Sequence, residues 1–326
     1  MRLLRFLVFI AVVLTAGRAS ANCGPVSIGE MNWNSARLIA NVQKVILEAG
    51  YGCSVELMKT TTIPGMTAHV ETGKPQIISE AWVNSVREIY QRGVNERRIL
   101  RASWVLTDGG LEGWWVPSYL VAKHPGIDTV AGLKENWQLF VDPSKQDKGR
   151  FFGCPKGWAC GTINQNLLKA YGLDQTFEKF DPGSGDKLRE SISKAYAEKK
   201  PWFGYYWAPT AIMGRYPMVR VKLKDADPEG HACNQKSDCP TPHAGSYPAS
   251  QVISTVTTKF RDSHPSEFGA LSKISIPNKV MNSILAWAEK NGATGPEMAA
   301  HFLRTQRSLW SQWVPEEVMN KIEAAL

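Results

Sequence analysis

The chain lacks the patterns on which most secreted enzymes rely. Its six histidines, His69, His124, His231, His243, His264 and His301, are dispersed over 326 residues with no obvious nucleophile beside them. A G-x-S-x-G elbow, an H-E-x-x-H helix, a P-loop and a dinucleotide glycine fingerprint are all missing. An enzyme would therefore need a site of unrecognised type, and none is expected. The six cysteines form no tight C-x-x-C pairs and have no matching histidines, which argues against structural zinc. No dense basic stripe is present either. The formal charge of +8 is scattered, with only short pairs such as Arg97-Arg98 and Lys199-Lys200, so no nucleic-acid surface is expected. Beyond the N-terminus no apolar run reaches the roughly 18 residues of a membrane span.

What is there begins with an export signal. Arg2 and Arg5 precede an apolar stretch from Phe6 to Ala16, Arg18 interrupts it, and Ala19-Ser20-Ala21 supplies the small-x-small cleavage pattern. Residues 1–21 are expected to be a cleaved signal peptide, with the mature chain starting at Asn22 in the periplasm. Ser20-Ala21-Asn22 ahead of Cys23 is not a lipobox, so no lipid anchor is expected. Losing Arg2, Arg5 and Arg18 lowers the formal charge from +8 to +5. The remaining length exceeds one typical domain and suggests two lobes. An even cysteine count in an exported chain favours disulfides. Local spacing suggests Cys154 with Cys160 and Cys233 with Cys239, leaving Cys23 with Cys53, among the 15 connectivities open to six cysteines.

Strands and helices alternate along the chain. Val26–Ile28, Cys53–Met58 and Gln76–Trp82 read as strands; Trp33–Ala49, closed by Gly50, and Met66–Thr72 read as helices. The order recurs with strands at Leu139–Val141, Phe177–Phe180 and Trp202–Trp207 and helices at Cys160–Tyr171 and Lys187–Lys199. The two halves also share a spacing. Trp33 to Trp82 and Trp158 to Trp207 are each 49 residues, and each second tryptophan follows a Lys-Pro and a short apolar strand. This predicts an α/β fold of two similar lobes around largely parallel sheets, with ligand held in an interlobe cleft beyond the strand ends. The divisions expected are 22–118 for the first part of lobe 1, 119–224 for lobe 2, and 225–248 for a disulfide-tied loop. Residues 249–326 then return to lobe 1 through the strand Gln251–Thr258 and C-terminal helices broken at Pro277 and Gly292–Pro296.

The chain is rich in one residue, with twelve tryptophans. Trp82 and Trp207 fall at strand ends, Trp158 in a glycine-rich loop and Trp33 at a strand-to-helix turn, which are awkward core positions. A ring face attracts a weakly hydrated cation by about 2 kcal/mol when desolvated. Three or four rings would support micromolar binding, which needs about 8 kcal/mol. Trp104, Trp137, Trp202, Trp287, Trp310 and Trp313 are instead expected in the core, with Trp33 and the pair Trp114-Trp115 intermediate.

Gly153-Cys154-Pro155-Lys156-Gly157-Trp158-Ala159-Cys160 resembles the G-C-x-x-G-W-x-C loop of glycine-betaine-binding proteins of ABC importers. Glu80-Ala81-Trp82 resembles that family's first-lobe strand end, and Tyr205-Tyr206-Trp207-Ala208-Pro209 its aromatic run. The resemblance runs from about Val26 to the C-terminal helices. It implies a bilobal type II periplasmic-binding-protein fold that closes by hinge motion. It also implies that Trp82, Trp158 and Trp207 surround an ammonium, with the backbone N–H groups of Ala159 and Cys160 facing a carboxylate at a helix start.

The family's carboxylate-contacting histidine, four residues after the first-lobe tryptophan, is here Val86. Matching to choline- and trimethylamine-N-oxide-type relatives adds Trp33 and Trp115 to the box. Glu112 or Glu80 would accept a hydrogen bond from a hydroxyl or a protonated N-oxide. The expected ligand is a small methylated amine, in the order trimethylamine N-oxide, glycine betaine, choline. The expected partner is an inner-membrane ABC permease, and the protein is expected to be a monomer without cofactor or metal. Asp225-Ala226-Asp227-Pro228-Glu229-Gly230 looks like half a calcium loop, but Lys236 stands where the bidentate glutamate belongs. A sensory receptor with the same cleft is the alternative to transport.

Overall fold

Apolar strands that are buried on both faces need helices on either side, and the chain supplies two such layers. The computed structural model describes residues 23–142 and 145–326; the expected signal peptide lies outside the described residues. The early strands are β1 (Gly24–Met31), β2 (Cys53–Thr60), β3 (Ile77–Trp82) and β4 (Ile99–Ser103). They are followed by β5 (Leu111–Pro117), β6 (Val141–Asp142), β7 (Lys145–Phe152), β8 (Phe177–Phe180), β9 (Gly204–Ala208), β10 (Met218–Arg220) and β11 (Val252–Thr257). One sheet has the order β2-β1-β3-β11-β4 and the other β10-β5-β9-β7-β6, with β8 paired to β7. Two α/β lobes result, as the alternation predicts.

The sheets are mixed rather than largely parallel. β1 runs parallel to β2 and β3, but β11 re-enters from the other lobe and pairs antiparallel with β3 and β4. β5 is antiparallel to both β9 and β10. The lobe boundary also falls earlier than position 118. β5 belongs to the second sheet, where fully buried Trp114 packs edge-on against Phe151 and Phe203. The chain crosses between lobes just before β5 and again before β11, where Gly110 and Ser250 exchange backbone hydrogen bonds of 2.8 and 2.9 Å. Gly109 turns this crossing at φ +68°, a conformation costly for a residue with a Cβ.

The strand expected at Leu139–Val141 is not formed as such. Residues Trp137–Phe140 form a 3₁₀ turn, and only Val141–Asp142 pair as β6. The long neighbouring strand β7 opens Lys-Gln-Asp-Lys, a polar start that hides its periodicity. All six cysteines are bridged, in the pairs Cys23–Cys53, Cys154–Cys160 and Cys233–Cys239. The segment 225–248 contains a short helix, Pro228–Asn234, whose first turn is capped by Asp227 Oδ1 accepting from Glu229 N at 3.1 Å.

The C-terminal helices return to the first lobe. Helix Gly295–Thr305 packs on helix Asn34–Val45, and helix Glu316–Ala325 packs on the π turn Ile46–Gly50 that follows. Gly50 is buried under that last helix, and the left-handed residue after the turn is Gly52, at φ +73°. A Cβ on Gly50 would lie 2.6 Å from Val318 Cγ1. Gly50→Val should therefore force the terminal helix outward and cost about 1–3 kcal/mol by overpacking. A urea midpoint equal to that of the parent would show that this contact carries no stability.

Candidate functional site

Four indoles meet where the lobes face each other, each delivered by a different local device. Trp33 is the extended N-cap residue of helix Asn34–Val45, so its ring projects beyond the end of β1. Trp82 ends β3, a strand buried along its whole length. Trp158 follows Gly157, which has φ +87°, inside the loop closed by Cys154–Cys160. Trp207 lies on β9, where Tyr205 shares its face and Tyr206 points the other way, as strand alternation requires.

These rings enclose a pocket with Thr62, Ser85, Glu112, Ala159, Cys160 and Tyr205. It holds about 340 Å³ of atom-free space, part of it open to solvent. Trp158 stands edge-on to Trp33 at 5.3 Å and to Trp207 at 5.2 Å between ring centroids. Seven of the eight predicted ligand residues thus line one enclosure. Trp115 does not; it is buried behind it and donates its Nε1 hydrogen to the Tyr206 carbonyl at 3.2 Å. Its place on β5 sends it to the face opposite Trp114 and away from Glu112. Among the expected core rings, Trp104 is instead 40% exposed beneath Arg101.

The polar groups of the pocket are few. Glu112 is buried, and Tyr205 donates to its Oε1 at 2.7 Å while Ser85 Oγ lies 3.1 Å from its Oε2. Burial pushes the Glu112 carboxyl up to about 7, and the bonds from Tyr205 and Ser85 pull only part of the way back. Burial and this carboxylate together hold the Tyr205 hydroxyl well above its ordinary range. No lysine, arginine or histidine lines the pocket among the described residues. Val86 is buried and does not face it. Glu80, the other carboxylate flagged in the sequence, lies behind the rings and accepts from the Nε1 groups of Trp33 and Trp82. Tyr205 was legible two residues before Trp207 on the same strand face; Thr62 and Ser85 carried no signal in the sequence.

The lobes are closed on each other. Trp158 Nε1 donates to Asn32 Oδ1 across the cleft at 2.6 Å, and Ile63 N donates to Gly157 O at 3.0 Å. Arg37 pairs with Asp186 at 3.0 Å and Arg215 with Glu289 at 3.1 Å. A small solute inside would contact both lobes at once.

Two α/β lobes closed over a small aromatic pocket at two chain crossings define a bilobal solute-binding protein. Residues 24–305 match the family described as the substrate binding domain of ABC-type glycine betaine transport systems, and the chain belongs to that family. It is a substrate-binding component of ABC transport, not an enzyme. The glycine betaine/proline betaine-binding periplasmic protein of Salmonella typhimurium is 17% identical over 255 residues, covering 76% of each chain. The solved glycine betaine/L-proline-binding protein of Borrelia burgdorferi superposes with a TM-score of 0.72 at 19% identity, over 91% of this chain and 99% of that one. Lactococcal OpuAC, closed around glycine betaine, gives 0.68 at 17% identity, over 90% and 100%. At such identities the superpositions establish the bilobal fold.

The raised Glu112 carboxyl predicts a pH dependence of stability. The folded chain keeps this proton up to about pH 7, whereas the unfolded chain releases it near its ordinary 4.5. Folding stability should therefore fall as pH rises across that window and level off above it. Glu112→Gln should remove this part of the fall, read from urea midpoints at a series of pH values. Superimposable profiles for parent and variant would mean that Glu112 titrates normally.

Proposed function

We propose that this protein captures a small methylated amine in its four-tryptophan enclosure and delivers it to an ABC permease, with trimethylamine N-oxide the best-fitting ligand. The observation that carries this reading is four indoles and one buried glutamate, its carboxyl pushed up to about 7 by burial, with no basic side chain beside them. Methyl groups on a cationic nitrogen suit ring faces, since each desolvated contact contributes about 2 kcal/mol and no hydrogen bond is needed. The polar end of the ligand then decides the rest.

A betaine carboxylate would meet Glu112, with donors available from the Thr62 and Ser85 hydroxyls and from the backbone N–H groups of Ala159 and Cys160 at the start of helix Cys160–Ala170. A choline hydroxyl would favour ionised Glu112, whose burial makes ionisation costly. An N-oxide oxygen is a strong acceptor and takes a proton from neutral Glu112 in a hydrogen bond. The glycine betaine-binding relatives support the methylated-amine class. The expected setting is the periplasm, reached through a cleaved leader at residues 1–21, with the protein acting as a monomer. Ligand would favour the closed state because it touches both lobes there.

Calorimetric titration of the chain from Asn22 with trimethylamine N-oxide, glycine betaine, choline and carnitine tests this. One methylated amine should bind at about micromolar affinity. Trp82→Ala and Trp207→Ala should each weaken it by about thirtyfold, the equivalent of one desolvated ring. Binding of the N-oxide should weaken as pH rises through 7, whereas choline binding should tighten. A well-folded protein that binds none of the four would end the methylated-amine reading.

A further inference from the structure

We propose that Glu80 is a positioning residue that holds Trp33 and Trp82 as a preformed half-cage on the first lobe. This rests on the ligand reading above but concerns a residue outside the pocket lining. Glu80 is fully buried on β3, the strand flanked by β1 and β11. One of its oxygens, Oε1, accepts from Trp33 Nε1 at 2.8 Å, from Trp82 Nε1 at 2.8 Å and from Ser35 Oγ at 3.1 Å. Two of the four rings thus share a single acceptor, although 49 residues separate them in the chain.

The sharing has geometric consequences. An indole has one donor, at its edge, and fixing that edge sets the plane of both faces. Glu80 and Trp82 lie two residues apart on one strand face, so the sheet itself sets their relation. Trp33 enters from a different element and is brought into register by the shared oxygen. The opposite oxygen, Oε2, is buried without a hydrogen-bond partner among the described residues. A buried, incompletely satisfied carboxyl costs stability, so a purely structural role would be served better by an apolar or neutral residue. The second lobe differs. Trp158 satisfies its N–H across the cleft on Asn32, a bond that exists only when the lobes meet. Two rings are therefore set before closure and Trp158 by closure, which limits the ordering cost of binding on the first lobe.

The test compares Glu80→Gln, which keeps an acceptor at the same reach, with Glu80→Asp, which keeps the carboxyl group but is one methylene shorter. Two measurements are made on each: indole N–H signals and their solvent exchange by NMR without ligand, and calorimetric titration with trimethylamine N-oxide. In the parent without ligand, the Trp33 and Trp82 indole protons should be protected, and Trp158 should become so on ligand addition. In Glu80→Asp, the Trp33 and Trp82 protons should exchange at least about tenfold faster and affinity should fall by about tenfold or more. Glu80→Gln should stay within about threefold of the parent in both. Parent-like binding by Glu80→Asp, or an equal loss in both variants, overturns the proposal. If either variant fails to fold, the parent decides: unprotected Trp33 and Trp82 indoles without ligand overturn it. Should the parent bind no methylated amine while the indole protons still respond to Glu80, the ligand reading fails and the positioning role stands.

Discussion

An indole offers two apolar faces and one polar edge, and a ring keeps its faces free for a ligand when its edge is satisfied outside the cage. That constraint organises the interlobe region. Trp33 and Trp82 turn their N–H groups to Glu80, and Trp158 turns its own to Asn32. Each acceptor sits behind or beside the ring it serves, so the faces remain free toward the pocket. The same principle explains the remaining partners of the site. Tyr205 and Ser85 donate to Glu112, which remains the pocket's main polar group.

Closure and electrostatics are linked through this arrangement. The bridges Arg37–Asp186 and Arg215–Glu289 span the lobes at partly solvated positions, where single pairs contribute little stability. The pocket contains no basic side chain, so Glu112 ionises reluctantly and favours partners that accept a proton or carry positive charge. Gly110, at the first crossing, leaves room for the Trp82 ring; any side chain there would collide with it. The path between lobes and the ring packed on it are therefore a single packing problem.

Much of this was legible in the residue order. The α/β alternation, the two lobes, the returning tail and the four rings all announce themselves through periodicity, Lys-Pro punctuation and tryptophans in non-core positions. What misled was local. The polar start of β7 concealed a strand, and Trp115, adjacent to Trp114, was placed in the cage although strand geometry sends it elsewhere. The mixed sheets were not foreseen, because strand direction depends on which lobe the chain has just left.

By itself the sequence determined the α/β alternation, the cysteine pairs closest in the chain and the aromatic character of the site, since these follow from local patterning over a few residues. Only the tertiary structure decided which rings share an acceptor, which carboxylate faces the pocket and which stands behind it. Glu80 and Glu112 are both acidic residues on strands and are indistinguishable by propensity. They part because β3 and β5 belong to different sheets, whose orientation is set by contacts between residues far apart in the chain.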